Sequence, residues 1–382
     1  MVRGIRSDYL APVVYLLDIV WVVWMGSRVL KSKGLKVQSL KKIFTFENLV
    51  VVIFIGLNIL VAGNKWVAIY KWLRILQWVI SLKVLKSESL KVKRCLGWII
   101  PFWIVMETLL GVGQMVKGGS LEGVWYWLGE RRFSLTTIGI AQISWLGNGL
   151  VRAYGTFSHP NSLAGFLLVA WMLWQSWQKK RGVMYWVITW CSVLGIVIAG
   201  SRMVWALLVM QLIITNYELR IKKKRLGVKN LVGYLVIITG VLMLILGVVG
   251  VNYRISDFVG GWDTGSLTKR VLLGMMSVEM WRDNLMLGVG AGNFIADLPV
   301  YQEASSFYWL QPVHNIFLLV GAELGILGIM LVIYKISDIR FQIMRRRNWL
   351  ILGIIIVTGM VDHYWLTLPQ NYWLLAVVLS VL

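Results

Sequence analysis

Long runs of apolar residues, separated by short polar connections, dominate this chain. Each run approaches the ~20 residues that an α-helix needs to cross the hydrocarbon core of a bilayer. The pattern predicts about eleven transmembrane helices, at residues 9–30, 45–62, 65–84, 95–115, 157–178, 183–200, 202–219, 229–250, 312–334, 348–362 and 366–382. We therefore predict an all-α polytopic membrane protein in which residues 1–382 form a single membrane domain.

The composition supports a membrane protein. Of the 382 residues, 58% are hydrophobic and only 15% are charged, and a soluble domain of this length cannot bury so many apolar side chains. A water-soluble enzyme, a disordered chain and a single-span receptor are therefore excluded. The net charge of +22 does not indicate nucleic-acid binding, because the basic residues lie between the apolar runs. The two cysteines match neither a disulfide framework nor a metal-binding motif.

The basic residues also predict the orientation, because Lys and Arg accumulate in cytoplasmic loops. Every second connection is basic, which fits eleven spans with the N-terminus outside and the C-terminus inside. The long connections 116–156 and 251–311 then lie on the outer face, where long structured loops tend to carry function.

The outer loop 251–311 is predicted to contain an amphipathic helix that lies on the outer surface. We expect Ser266 to be its N-cap and residues 267–284 to form the helix. The run from Gly288 to Gly292 follows, and it lacks the Lys-Ser/Thr pair of a nucleotide-binding loop. We expect a turn there that lets the backbone approach a ligand or another helix.

All histidines of the chain, His159, His314 and His363, fall at the predicted outer ends of spans. Histidine exchanges a proton near neutral pH, so the outer face is where we expect chemistry. For any one of them, the alternative is an interfacial side chain bonded to a loop carbonyl.

Three arginines, Arg152, Arg202 and Arg270, lie on the predicted outer side, where the positive-inside rule disfavours them. Guanidinium groups bind phosphate oxygens in a bidentate manner and never lose their charge. We therefore expect them to bind an anionic substrate, and the alternative is that each one reaches to a lipid headgroup.

Carboxylates do not indicate a metal. The outer acidic residues form no Asp-x-Asp pair and no His/carboxylate ligand spacing, so we expect a metal-free site. Glu323 lies within the ninth predicted span, among Gly321, Gly325 and Gly328. We favour a structural role for it in close helix packing over a role in carrying protons. Asp18 and Glu107 receive the same structural interpretation.

Four segments between residues 150 and 335 occur in a characteristic order: Arg152–Asn161, Gly200–Arg202, Arg270 followed by the run Leu287–Phe294, and His314–Asn315 followed by Glu323–Gly328. In composition, order and spacing they resemble the O-antigen ligase and polymerase family of bacterial membrane glycosyltransferases. The resemblance implies a glycosyltransferase-C-like helical fold with a large outer loop over the site. It also implies location in the bacterial inner membrane and a glycan donor linked to undecaprenyl pyrophosphate.

By the same resemblance, Arg202 and Arg270 are expected to hold the pyrophosphate, and His314 is expected to activate the acceptor. Arg152, His159 and Asn161 match a motif that we assign to substrate binding, as we do Asn315. Members of the family commonly have about twelve spans, whereas this chain has eleven predicted spans.

The expected reaction moves a glycan from the lipid-linked donor to an acceptor hydroxyl on a glycan or a lipid. It requires no cofactor and no metal, and it inverts the configuration at the sugar C1. Such a reaction belongs to cell-envelope biogenesis, for example of lipopolysaccharide. Ligase and polymerase share this donor chemistry and differ in the acceptor, so both remain open. The alternative from another class is a transporter or flippase of an anionic lipid-linked glycan, which would place charges at several depths along a path through the membrane.

Overall fold

The protein is mainly α-helical, which confirms the predicted class. The computed structural model describes residues 18–23, 46–137, 139–145, 148–178, 182–222, 265–302, 310–337 and 346–381. The predicted span at 229–250, most of the span at 9–30, and residues 251–264 and 303–309 of the large loop lie outside the described residues.

Residues 18–23 are helical. The other helices, in chain order, are α1 (Phe46–Val61), α2 (Lys65–Ser87), α3 (Ser89–Lys117), α4 (Val124–Trp127), α5 (Pro160–Trp177), α6 (Val183–Ala199), α7 (Arg202–Lys222), α8 (Gly265–Asp283), α9 (Phe294–Tyr301), α10 (Ile316–Ser337), α11 (Arg346–Gly359), α12 (Tyr364–Thr367) and α13 (Pro369–Val381). Strands β1 (Gln142–Trp145) and β2 (Asn148–Val151) form an antiparallel pair in which Gln142 lies opposite Val151.

Helices occur at most of the predicted spans. Within the described residues, two of them are long and apolar enough to cross a membrane, Ser89–Lys117 and Ile316–Lys335. Shorter apolar helices occupy Phe46–Val61, Val183–Ala199, Arg202–Ile214 and Trp349–Gly359. The number of eleven spans stays a prediction.

The chain divides into two compact units. The first contains Met1–Val79 and Thr268–Gln342, and the second contains Ile80–Leu267 and Ile343–Leu382. The prediction of one membrane domain stays a prediction.

In the second unit, α5 is the central helix. Nearly all of its side chains are buried, among them Trp171, and they form one apolar cluster with α3, α6, α7, α11 and α13. Gly195 of α6 lets that helix come close to its neighbours, because a Cβ there would lie 2.6 Å from Leu167 Cδ1 and from Thr108 Oγ1. Small residues at such contacts are typical of helices packed inside membranes.

In the first unit, α10 is interrupted at Gly325, whose φ of 64° and ψ of −171° are not helical. The predicted turn Gly288–Gly292 contacts α10 at this interruption. Val289 and Gly290 donate backbone hydrogen bonds to the Ala322 and Glu323 carbonyls, at 2.9 and 3.1 Å. The amides of Ile326 and Leu327 donate in turn to the Leu285 and Met286 carbonyls, at 2.9 and 3.2 Å. The turn therefore replaces hydrogen bonds that the helix lacks, which confirms that its backbone approaches another helix.

The side chain of Asn58, on α1, joins the turn to the interrupted helix. Its Nδ2 donates to the Leu287 and Glu323 carbonyls at 2.8 and 3.0 Å. Its Oδ1 accepts from the Ala291 amide and from Trp72 Nε1, each at 2.9 Å. Asn58 is fully buried, and these bonds use both of its donors and both lone pairs of its acceptor.

The buried carboxylates inside the predicted spans have partners within the protein. Glu323 accepts hydrogen bonds from the backbone amides of Gly292 and Phe294 and interacts with Lys71. Glu107 accepts from Thr156 N at 2.8 Å and from Trp103 Nε1 at 2.9 Å. Asp18 pairs with Arg74. These contacts agree with the structural interpretation of Glu323, Glu107 and Asp18.

We predict that Gly288→Ala strongly destabilises the fold. Gly288 has a φ of +67°, which costs an L-residue about 1–2 kcal/mol, and a Cβ there would lie 2.6 Å from the Ala322 carbonyl oxygen. Thermal unfolding and monodisperse yield in detergent should both fall sharply. Gly274→Ala is the matched control on α8, because a Cβ there meets nothing within 4 Å and alanine favours a helix by up to about 1 kcal/mol. Equal stability of the two variants would show that the turn does not need its contact with α10.

Candidate functional site

The predicted site residues are distributed over both units. The second unit contains Arg152, His159, Asn161 and Arg202, and the first contains Arg270, His314 and Asn315. These are two separate sets of residues, one in each unit.

Arg152 follows β2 and is held by two acceptors. Its Nε donates to the Ala199 carbonyl at 2.8 Å, at the C-terminus of α6, and its Nη2 donates to Asn161 Oδ1 at 2.7 Å. A cation is favoured at a helix C-terminus, where carbonyl groups are unpaired and the helix dipole is negative. Arg152 is therefore a fixed positive charge rather than a side chain that is free to reach a lipid headgroup.

The same two bonds bring Arg152 to the Gly200–Arg202 turn. Gly200 has a φ of +67°, and a Cβ there would lie 3.0 Å from Arg152 Nε. This position therefore requires glycine. Arg202 begins α7 directly after the turn and is exposed. The structure thus brings together two segments that are 50 residues apart in the sequence, one carrying Arg152 and the other carrying Arg202.

His159 and Asn161 form the start of α5. Nδ1 of His159, the N-cap residue, accepts the Asn161 amide at 3.1 Å, so this nitrogen is the unprotonated one in a neutral ring. The Asn161 side chain accepts from Arg152 and donates through Nδ2 to Asp362 Oδ2 at 3.2 Å. A hydrogen-bonded chain therefore runs from Arg152 through Asn161 to Asp362.

Asp362 and His363, which precede α12, are both buried. Asp362 Oδ1 accepts the His363 amide at 2.9 Å, and His363 Nδ1 lies 2.7 Å from Thr367 Oγ1. The His363 ring therefore has a hydrogen-bond partner, Thr367, at the end of α12.

The segment that follows Arg152 is anchored by Gln114, near the end of α3. Its Oε1 accepts the Tyr154 and Gly155 amides at 3.0 and 2.8 Å, and its Nε2 donates to the Gly155 carbonyl and to Glu130 Oε1, each at 2.9 Å. Gln114 is fully buried and Glu130 is nearly so. Because every polar atom of Gln114 is bonded, the backbone directly after Arg152 has one well-defined path.

In the first unit, His314 and Asn315 lie at the start of α10. The Asn315 side chain caps this helix, because its Oδ1 accepts the Phe317 and Leu318 amides at 2.8 and 3.1 Å. His314 is half-buried beside the cap. His314 thus lies beside the N-terminus of the segment of α10 that ends at the interruption at Gly325.

Arg270 lies on α8, which confirms the predicted helix. The predicted N-cap is wrong, because α8 already includes Gly265 and Ser266 therefore lies inside the helix. The face of α8 that packs in this unit contains Leu273, Ser277 and Met280, and Ser277 Oγ donates to the Leu318 carbonyl of α10 at 3.2 Å. Ser277 is therefore buried, although the apolar pattern places it on the polar side. Arg270 is half-buried, two turns before Ser277.

Asp297, in the first turn of α9, is a half-buried carboxylate. A Cβ on Gly63 would lie 2.8 Å from its Oδ1, so the α1–α2 connection covers it. Burial raises the pKa of the Asp297 carboxyl above its ordinary value.

The sequence motifs do not include several residues that organise these segments, namely Asn58, Gln114 and Asp362. Each is a lone polar or acidic side chain within or beside an apolar run, and that isolation is the one signal the sequence offers. Most side chains of this type are structural, so only their contacts distinguish them.

Comparison with known proteins gives one finding. Residues 187–333 match the family model described as O-Antigen ligase. The matched segment contains Arg202, Arg270, His314 and Asn315, whereas Arg152, His159 and Asn161 precede it. No curated protein matches the chain.

We predict that Asp297→Asn stabilises the protein at neutral pH. The pKa of this carboxyl is higher in the folded state than in the unfolded chain. The group therefore stabilises the fold at pH values below its unfolded pKa, and this stabilisation is lost as the pH rises through the folded pKa. The variant should therefore unfold at a higher temperature than the wild type near about pH 7, and the difference should shrink toward about pH 4. Glu279→Gln, at an exposed position of α8, is the control and should show little effect. A less stable Asp297→Asn at neutral pH would mean that the carboxylate has a favourable ionic partner.

Proposed function

We propose that this chain, a member of the O-antigen ligase family of bacterial membrane proteins by the match over residues 187–333, is a glycosyltransferase. Its donor is a glycan linked to undecaprenyl pyrophosphate. The reaction transfers the glycan to an acceptor hydroxyl without a metal and with inversion at the sugar C1. The family match carries this proposal, since it covers the segments with Arg202, Arg270 and His314.

The donor determines what the protein must supply. A sugar C1 bonded to pyrophosphate already has a good leaving group, so the protein has to neutralise the charge that develops on that group. Guanidinium groups do so without changing their protonation state. We assign this role to Arg202 and Arg270. Fixed positive charge then takes the place of the divalent cation that many nucleotide-sugar enzymes use.

The acceptor hydroxyl becomes a stronger nucleophile when a base takes its proton. We assign this role to His314, supported by its place directly before Asn315, whose side chain caps the N-terminus of α10. A single displacement by the activated hydroxyl inverts C1.

Arg152, His159, Asn161 and Asn315 are assigned to substrate binding. For Arg152 the support is its fixed guanidinium beside the Gly200–Arg202 turn. His159 and Asn315 also cap helices, and Asn161 also positions Arg152. These three residues therefore shape the site as well as contact the substrate.

We place the protein in the bacterial inner membrane with this chemistry on the outer face, because the basic connections alternate along the chain. The polyprenyl tail lies among the spans, and the pyrophosphate lies at the interface. Charged side chains inside the described spans, such as Lys71 with Glu323 and Arg74 with Asp18, interact with one another. Their pairing favours a structural role over a path for an anionic cargo, which argues against a transporter.

The decisive experiment uses purified protein in detergent with one defined lipid-linked repeat. Without compartments a flippase has no measurable product, whereas a transferase consumes the donor and releases undecaprenyl pyrophosphate. Chain growth indicates a polymerase, and transfer to a second added acceptor indicates a ligase. The reaction should continue in excess EDTA, and NMR of the product should show the inverted anomer. Absence of donor consumption by folded protein would contradict the proposal.

We predict that Arg270→Lys and Arg202→Lys each lower turnover by about tenfold or more at unchanged folded yield. Lysine keeps the positive charge but loses the two-pronged match to phosphate oxygens. Arg282→Lys is the matched control, because Arg282 is an exposed arginine on the same helix as Arg270. Turnover near that of the wild type in the first two variants would mean that these guanidinium groups interact with lipid headgroups.

We predict that His314→Ala lowers the rate by about two to four orders of magnitude while donor binding remains, because general base catalysis contributes about that much. Wild-type activity should also fall in acid, because a protonated imidazole cannot accept a proton. Donor binding and folded yield are measured in the same preparations. If His314→Ala instead lowers both of them and His314→Gln restores them, His314 is structural.

A further inference from the structure

One side of α3 is apolar and exposed from Trp98 to Val116. Trp98, Phe102, Leu109 and Val116 are exposed, and their spacings of four, seven and seven residues place them on one stripe of the helix. Helix α3 is long and apolar enough to span a membrane, and in a spanning helix this stripe would face lipid. Its last member, Val116, lies next to the end of the helix at Lys117.

An exposed aromatic surface follows directly. It consists of Val124, Tyr126, Trp127 and Leu128, on and just after α4, and we call it the Trp127 surface. The exposed fractions are 85% for Trp127 and 72% for Val124. A rigid cluster of this kind in contact with water is unfavourable, and such clusters mark sites of interaction.

The Trp127 surface is held at the level of the last turns of α3. Leu121 folds back along that helix, because a Cβ on Gly113 would lie 2.7 Å from Leu121 Cδ1. The buried Glu130 carboxylate then accepts the Leu121 and Glu122 amides at 2.8 and 2.7 Å. These bonds keep Glu122 at a φ of 66°, a left-handed conformation that is unusual for a residue with a side chain. The loop therefore presents its aromatic side chains in a fixed position.

Positive charge borders the same surface. Arg131 and Arg132 are exposed, and the Arg132 guanidinium lies 4.6 Å from the centre of the Tyr126 ring. Two carboxylates lie in the same loop: Glu130 is buried and accepts backbone amides, whereas Glu122 is exposed. Aromatic rings beside arginines fit the boundary between acyl chains and phosphate groups.

We propose that the Trp127 surface is a membrane anchor, inserted into the headgroup region of the leaflet at the C-terminal end of α3, with Arg131 and Arg132 on the phosphates of anionic lipids. It continues the lipid-facing stripe of α3 from Val116 onto the loop. Glu130, which fixes the loop, also bonds Gln114, and Gln114 bonds the segment directly after Arg152. The anchor therefore holds this part of the second unit at phosphate height. The proposal requires that α3 crosses the bilayer but does not depend on the chemistry proposed above.

Depth-dependent fluorescence quenching tests the anchor. In the full chain with Cys95→Ser and Cys191→Ala, Trp127→Cys is labelled with an environment-sensitive fluorophore. Thr136→Cys is the matched control, because Thr136 is exposed on the same loop and polar. Both proteins are placed in nanodiscs of phosphatidylethanolamine and phosphatidylglycerol that contain lipids spin-labelled near the headgroup or near the chain end. Iodide serves as the aqueous quencher, and thermal unfolding confirms that each variant is folded.

At Trp127→Cys we expect strong quenching by the headgroup-proximal spin label and at least about threefold weaker quenching by iodide than at Thr136→Cys. Adding Arg131→Gln and Arg132→Gln should shift the label toward water, with less lipid quenching and more iodide quenching. Equal iodide quenching at the two positions without lipid quenching would overturn the anchor. Protection from both quenchers would overturn it as well, since it would mean that protein covers the surface. An unchanged position in the double arginine variant would refute the role of the two arginines.

Discussion

In an apolar environment every backbone amide and carbonyl needs a partner within the protein, and the first unit depends on how this requirement is met at Gly325. An α-helix pairs the amide of each residue with the carbonyl four positions earlier. Here the amides of Ile326 and Leu327 and the carbonyls of Ala322 and Glu323 bond instead to the glycine-rich turn. Without that exchange, the interruption would leave four backbone polar groups unsatisfied, at a cost of several kcal/mol each in hydrocarbon.

The exchange has consequences for the site. It makes residues 316–324 a short helix of fixed position, with the Asn315 cap and His314 at one end and the turn at the other. Asn58 adds the N-terminal helix α1 to the same arrangement, because its amide bonds both the turn and the Glu323 carbonyl. A region outside the segment matched by the family therefore supports the residues that we assign to catalysis.

In the second unit, hydrogen bonds made by side chains, rather than an interrupted helix, fix the position of a candidate residue. Gln114 bonds the backbone directly after Arg152, and Arg152 bonds the carbonyl end of α6 and the Asn161 amide group. Asp362 bonds Asn161 from the other direction. A guanidinium group with such partners would lose little freedom on binding an anion, which suits the substrate-binding role that we assign to Arg152.

The sequence by itself determined the mainly helical class, the position of most helices, the helix α8 and the turn after it, because all of these follow from local periodicity and from glycine chemistry. It also singled out the arginines and the imidazole as candidates, since charge against the positive-inside pattern and histidines at predicted span ends are visible in one dimension. Only the tertiary structure decided that α10 is interrupted, that Ser277 is buried, and that Asn58, Gln114 and Asp362 bond the segments that carry candidate residues in each unit. Each of these depends on a partner tens to hundreds of residues away, as between Asn58 and Glu323 or between Asn161 and Asp362. A hydropathy pattern shows whether a residue is apolar or polar, but a hydrogen bond between distant residues leaves no period in the sequence.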